Sequence, residues 1–393
     1  MYVWTRAQRL TFGTRGHPFE QLYNVLVAQN RVLAVGTKIS TGVPYQFVVK
    51  TYYTEPGTSS WEDYNEVAVT HNDTSDFPGF WHVRDNGKLQ TGIRGQNNWL
   101  VEDNANLGAS FTVRQHINGN APKQFTRLAN GHILAYSTNT WGGIEPPAPS
   151  NAIVRSSDAG QTYSSVQMIG LTESVNQFIE CGQNIVLAVG IGDQEVATNR
   201  NKVWLSTNGG YLFQEQNIPG EQYASAWCGF ATGTGVVVLL GWNAAGNKPT
   251  MWRSTDYGGT FGQPTYPFPG LGTAALPRFY NVLKNGSTII ATLTGYPGYD
   301  ANFKPFAVST DEGQTWQLET SLSSTLDPYL MIPRGIAVAP NGRIVCGFQQ
   351  YLTGTPHAEI WEGQIVNPPE SQSLAAPPYC HHPFFQAECN QEC

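Results

Sequence analysis

The chain has 393 residues, a net charge of −7, only 13% charged and 40% hydrophobic residues, with 41 glycines and 25 prolines. That apolar share is enough to offset ordering entropy, so the chain is expected to fold rather than stay disordered. The absence of any Lys/Arg run argues against duplex nucleic acid as a partner, and no apolar stretch approaches the ~20 residues of a membrane-spanning helix.

The N-terminal segment MYVWTRAQRLTF lacks the apolar core and small-residue cleavage site of a secretory leader, so no signal peptide is expected in the sequence given. Within it, YVWTRAQRLTF reads as a strand with no sequence neighbour to pair with. Seven copies of a hairpin pattern follow: LYNVLVAQNRVLAVG from Leu22, FWHVRDNGKLQTG from Phe80, QFTRLANGHILAYS from Gln124 and QFIECGQNIVLAVG from Gln177. The series continues with AWCGFATGTGVVVLLG from Ala226, FYNVLKNGSTIIATL from Phe279 and GIAVAPNGRIVCGF from Gly335. Asn-Gly between alternating apolar runs predicts tight hairpins in which both turn residues take positive φ.

The turns recur every ~45–55 residues, a period that signals propellers. A third strand follows each hairpin, as in NAIVRSS, NKVWLST, KPTMWRST and KPFAVST, and a more polar fourth strand comes after it. Four-stranded up-and-down sheets repeated around an axis predict an all-β, seven-bladed β-propeller over residues 1–366. The last unit has three strands (RGIAVAP, RIVCGFQQ, AEIWEGQIV), so the orphan N-terminal strand is predicted to complete it and remove an exposed edge. Residues 367–393 form a Pro/Cys-rich extension.

Between third and fourth strands lie SSDAGQTY (156–163), STDYGGTF (254–261) and STDEGQTW (309–316), with a variant, STNGGYLF, at 206–213. Two decayed copies end at Trp61 and Phe111. The frame Ser-x-Asp-x-Gly-x-Thr-aromatic resembles the Asp-box, or BNR, motif of sialidase-like β-propellers. The resemblance implies turns at the outer edge of each blade, away from the central funnel. The residue types suit a fastener. Asp158, Asp256, Asp311 and the variant Asn208 can accept turn N–H groups. Gly160, Gly258 and Gly313 supply φ values a Cβ resists, and Tyr163, Phe261 and Trp316 can bury a ring between sheets.

Ligands of propellers usually meet the face where inner strands begin. Counting seven residues back from the Asn of the turn reaches Lys123, Arg278 and Arg334, each preceded by Pro, with Gln21 as the counterpart in the first unit. Three cations at equivalent positions would suit one carboxylate-bearing ligand; the alternative is pairing with acidic neighbours at loop ends. Arg84 and Arg127 lie further along inner strands, facing either the channel or the sheet interior. The resemblance implies, for an active sialidase, three arginines, a Tyr–Glu nucleophile pair and an aspartic acid/base. Tyr351 and Asp327 occupy suitable loops, but no glutamate pairs with the tyrosine, Arg-x-Pro is missing and six blades become seven. Aromatic loops such as FPGFWHV and GYPGYDANFKPF suit sugar stacking, a protein partner, or packing on their own blade.

Cys181, Cys228 and Cys346 sit in apolar strands and read as buried thiols. Cys380, His381, His382, Cys389 and Cys393 are candidate zinc ligands, though their spacing matches no common finger; the alternatives are one disulfide with a spare thiol, an intermolecular disulfide, or free thiols. The expectation from all this is a non-enzymatic recognition or assembly module without a cofactor. Its composition resembles that of bacteriophage particle proteins, which implies a virion or extracellular location. Protein subunits or a cell-surface glycan would be the partners. The opposing expectation is an exo-acting glycoside hydrolase of sialidase type on acidic sugars.

Overall fold

The computed structural model describes residues 2–10, 21–39, 46–54, 62–70, 82–84, 87–93, 99–103, 111–116, 122–138, 151–169, 174–182, 184–191, 202–220, 224–243, 248–271, 277–295, 304–319, 331–350 and 357–365. Regular structure among them is β-strand, without a helix. After β1 (Tyr2–Leu10), a first sheet holds β2 (Gln21–Ala28), β3 (Arg31–Ile39), β4 (Gln46–Thr54) and β5 (Glu62–Thr70). The second contains β6 (His82–Val83), β7 (Leu89–Ile93), β8 (Trp99–Asp103) and β9 (Phe111–His116). In the third are β10 (Pro122–Arg127), β11 (Ile133–Thr138), β12 (Asn151–Ser156) and β13 (Ser164–Ser165). A fourth takes in β14 (Gln167–Ile169), β15 (Ser174–Gly182), β16 (Ile185–Ile191), β17 (Lys202–Ser206) and β18 (Leu212–Asn217). The fifth consists of β19 (Ala224–Ala231), β20 (Val237–Asn243) and β21 (Lys248–Ser254). Next come β22 (Arg278–Asn285), β23 (Thr288–Thr294), β24 (Phe306–Ser309) and β25 (Gln317–Leu318). The last sheet joins β26 (Met331–Val338), β27 (Ile344–Gln350) and β28 (His357–Ile365) to β1.

Successive sheets are neighbours: β2 meets β6, β7 meets β10, the first strands β10, β15, β19, β22 and β26 follow one another, and β26 packs back on β2. This is a β-propeller arrangement, and five of its sheets are four-stranded and antiparallel. Two sheets depart from the expected four strands. In the fourth, β14 adds to the outer edge, parallel to β18. In the fifth, Pro264 and Pro267 lack the N–H a ladder needs, and only the single bridge Met251↔Thr265 forms where a fourth strand was expected.

Among the described residues, middle strands buried on both faces read as apolar runs such as Val237–Leu240, and the core divides into layers between consecutive sheets. One layer joins Leu22, Val25 and Val32 to Val345 and Ile360; another joins Cys228 and Val238 to Phe279 and Ile289. The predicted closure is present: β1 runs antiparallel to β28 from Tyr2↔Ile365 to Leu10↔Ala358. Trp4, fully buried, stacks on Phe306 of the preceding sheet at 3.5 Å and 9°.

Two of the hairpin turns differ from the predicted type. In the hairpins at Leu128 and Ala339, the N–H of that residue donates to the carbonyl four residues on, and only Gly131 and Gly342 take positive φ. These are three-residue loops with a single left-handed glycine; Asn130 and Asn341 instead accept an N–H through their side chains. The β2–β3 turn is the tight two-residue kind, with Gln29 and Asn30 both at positive φ.

Candidate functional site

The octapeptides form one repeated hydrogen-bonded turn. The Ser156 hydroxyl donates to Asp158 Oδ1 at 2.7 Å and accepts the Gly160 N–H at 2.7 Å. Asp158 Oδ1 accepts the N–H groups of Gln161 and Thr162 at 3.0 and 2.9 Å, and Oδ2 accepts the Thr162 hydroxyl at 2.5 Å. Asp256 and Asp311 hold their threonines in the same way. Asn208 keeps the backbone contacts, while Leu212 supplies no hydroxyl. Burial alone would raise the Asp158 and Asp311 carboxyls, but the serine, threonine and backbone donors outweigh it and hold them below the ordinary value; Asp256 is lowered chiefly by the Ser254 hydroxyl. A carboxylate kept ionised by turn donors is poorly placed to deliver a proton.

The octapeptides also fasten each sheet to the one before it. A Cβ on Gly210 would lie 2.9 Å from Leu134, one on Gly258 2.4 Å from Leu187, and one on Gly313 2.8 Å from Phe230, all on the preceding sheet. Trp316 is buried against Phe230 and Phe279.

The second and third sheets are joined differently, by a buried polar seam. Gln90 donates to the Gly160 carbonyl at 2.8 Å, while its Oε1 accepts the Tyr163 hydroxyl at 2.9 Å and contacts His82 Nε2 at 2.8 Å. Arg84 donates to the Ala159 carbonyl and pairs with buried Glu102, which Lys88 also reaches at 3.3 Å. Arg84 therefore serves the sheet interior. Gln90 and Glu102 carry no signal in the sequence, because polar residues inside a strand ordinarily read as its solvent face.

Desolvation pushes His82 down to about 4, with neighbouring Arg84 acting in the same direction against the Gln90 hydrogen bond. The unfolded chain then takes up this proton first. The His82 contribution is complete above the ordinary histidine value and is lost as pH falls from about 6.5 to about 4. We expect a loss of about 2–3 kcal/mol across that window. Urea midpoints measured against pH should show this slope in the native chain and lack it in His82→Gln.

The three cations predicted to be equivalent occupy different rungs. Six inner strands carry a register shift near their start, skipping Tyr23 in β2, Gln124 and Phe125 in β10, Asn176 in β15, Trp227 in β19, Tyr280 in β22 and Arg334 in β26. Arg334 is the skipped residue of its strand. Lys123 pairs with Tyr136 just before the shift, and Arg278 pairs with Thr294 one rung earlier still. Counting back from the turn failed because loop lengths and the position of the extra residue vary between hairpins. Arg278 lies over the Trp242 ring, Cζ 3.6 Å from its centroid. Tyr351, Asp327 and the Cys/His group 380–393 lie outside the described residues.

The bulges are the feature that counting missed, and they had a signal. Gly36, Gly190 and Gly241 end their apolar runs and pair with Leu22, Val175 and Ala226, the residues just before the bulge. A Cβ on Gly241 would fall 1.9 Å from the Ser225 carbonyl oxygen, so the backbones approach where only glycine fits. Glycine inside a strand often marks such a site. A bulge re-aims a side chain. Trp227 and Tyr280 are partly exposed and face each other across two sheets at 5.2 Å and 35°, while Ala226, Cys228 and Phe279 beside them are buried. Cys181, Cys228 and Cys346 are buried free thiols, Cys181 pushed up to about 12 by desolvation.

No protein-family model matches the chain, and no curated protein sequence does. Solved structures do match. A protein of unknown function from Dyadobacter fermentans DSM 18053 aligns with a TM-score of 0.52 at 12% identity, over 92% of this chain and 99% of that one. The β-propeller domain of the Trilobed protease from Pyrococcus furiosus, described as having an open velcro topology, aligns with a TM-score of 0.51 at 8% identity, over 88% and 97%. The shared fold is the β-propeller. The phage phi92 endosialidase aligns with a TM-score of 0.48 at 10% identity, over 94% of this chain and 71% of that one.

Proposed function

We propose that the seven sheets are the seven blades of one ring over residues 1–366, and that this propeller is a non-enzymatic recognition module of a virion, binding a host glycan or a neighbouring subunit. The supporting observation is how the described side chains divide their work. Asp158, Asp256 and Asp311 hold turns, Glu102 and Glu362 pair with Arg84 and Arg343, and Glu215 pairs with Lys202. Around the starts of the inner strands stand instead aromatic rings and guanidinium groups, the Trp227–Tyr280 pair and Arg278 on Trp242. Aromatic rings suit stacking on a sugar or a partner's side chain, and guanidinium groups suit an acidic group.

A glycan array and a fluorogenic sialoside test this together. The expected result is retained glycan without turnover. Hydrolysis of the sialoside that disappears in Arg278→Ala and Arg334→Ala would establish the exo-acting hydrolase instead. A fixed copy number of the chain in purified particles would support the virion setting.

A further inference from the structure

We propose that Asn285 is a self-modification site, where the side-chain amide is lost to water by way of a cyclic imide formed with the Gly286 nitrogen. Four Asn-Gly pairs lie wholly among the described residues, beginning at Asn130, Asn208, Asn285 and Asn341. A glycine after asparagine leaves its nitrogen open to attack the side chain, because no Cβ stands in the way. In three of the pairs the fold holds both reacting groups. The N–H groups of Gly131, Gly209 and Gly342 donate to the carbonyls of Leu128, Asn184 and Ala339 at 2.9, 2.7 and 2.8 Å. Asn130 Oδ1 accepts the His132 N–H at 3.0 Å, Asn208 Oδ1 that of Tyr211 at 3.2 Å, and Asn341 Oδ1 that of Arg343 at 3.1 Å. Among the described residues, neither the Asn285 carboxamide nor the Gly286 N–H has a hydrogen-bond partner.

The length of the hairpin explains the difference. Asn285 pairs with Thr288, so only Gly286 and Ser287 turn the chain, and both are exposed. The Asn130 and Asn341 turns are one residue longer, which lets the glycine N–H reach back to a carbonyl inside the turn. In the fourth and fifth sheets the octapeptide also grips the hairpin, Gly209 donating to Asn184 and Tyr257 to Gly235. No such bond joins Glu312 to the 285–288 turn among the described residues. Crowding does not separate the sites, since a Cβ on Gly286 or on Gly342 would meet nothing within 4 Å. The tether on the N–H does. In the reaction, the Gly286 nitrogen gives up its proton and bonds to Asn285 Cγ, the Cγ–Nδ2 bond breaks, and ammonia leaves carrying that proton. Water then opens the imide at one carbonyl or the other, giving aspartate or isoaspartate. Nothing is oxidised or reduced, and water is the sole co-reactant. Each product adds one negative charge at the tip of the hairpin. Isoaspartate also lengthens the backbone of a turn whose residue count sets the β22–β23 register.

The test holds the native full chain in mildly alkaline buffer, samples it over days, and maps the peptides spanning the four pairs by mass spectrometry. The amide-to-acid mass shift is expected to accumulate at Asn285 about tenfold faster than at the other three, the factor for releasing one or two hydrogen bonds of ordinary net strength. Two acid products of equal mass, separable by chromatography, are expected from the imide, whereas direct hydrolysis gives aspartate alone. In concentrated urea the restraints on Asn130, Asn208 and Asn341 are gone, and the four rates should converge. Equal rates at Asn285 and Asn341 in the folded chain would overturn the proposal. So would a single acid product, or a lead for Asn285 that persists undiminished in urea. None of these outcomes bears on the recognition reading, which rests on other residues.

Discussion

Trp4→Ala is expected to cost about 3–5 kcal/mol, the range for emptying a buried aromatic site. Trp4 is fully buried and belongs to β1, the strand that completes the last sheet, yet its ring stacks on Phe306 of the sheet before it. A Cβ on Gly363 would lie 2.9 Å from the indole, so the surroundings are shaped around this ring. Losing the ring leaves a cavity where β1 joins the last sheet. Trp4→Phe retains most of the stacking and should lose about half as much. Urea unfolding measures both. A chain lacking residues 1–10 should also expose the full length of β28 as an unpaired edge and self-associate in size-exclusion chromatography. A Trp4→Ala variant as stable as the native chain would show that β1 adds little to closure.

The second large effect is at Gly258. Its φ is +88°, and an added Cβ would meet Leu187 Cδ1 at 2.4 Å on the preceding sheet. Gly258→Ala therefore combines left-handed strain with overpacking, together about 2–4 kcal/mol. Gly286 separates the two contributions: its φ is +62° and nothing lies within 4 Å of a Cβ there. Gly286→Ala should lose only the strain, about 1–2 kcal/mol. Leu187→Ala should then partly rescue Gly258→Ala, giving a coupling energy of about 1 kcal/mol or more in a double-mutant cycle. Strict additivity would mean the octapeptide glycine is needed for its backbone alone.

Local chemistry made much of this architecture legible. Period-2 alternation placed the strands, the octapeptides marked the passage from third to fourth strand, and an unpartnered first strand with an incomplete last unit predicted the β1–β28 pairing. The strands and the octapeptide turns follow from neighbouring residues acting on their own backbone, which is what a sequence records directly, whereas the β1–β28 pairing was inferred from counting strands. The Asp158, Asp256 and Asp311 turns are the clearest case, since every partner lies within four residues.

The candidate site was less legible. The equivalence of Lys123, Arg278 and Arg334 depended on counting across hairpins, and one extra residue in a strand shifts every rung beyond it. The glycines opposite the bulges were a usable sign of where that shift falls. Gln90 could not be told from a solvent-facing residue until the Gly160 turn of the next sheet came against it. Trp227 and Tyr280 are fifty-three residues apart and meet only because adjacent sheets bring their bulges together. The sequence by itself determined the strands, the places of the turns and the octapeptide repeat, because those depend on contacts a few residues long. Which side chains share a rung and which polar groups are buried was decided by tertiary packing, because both depend on how one sheet registers against the next.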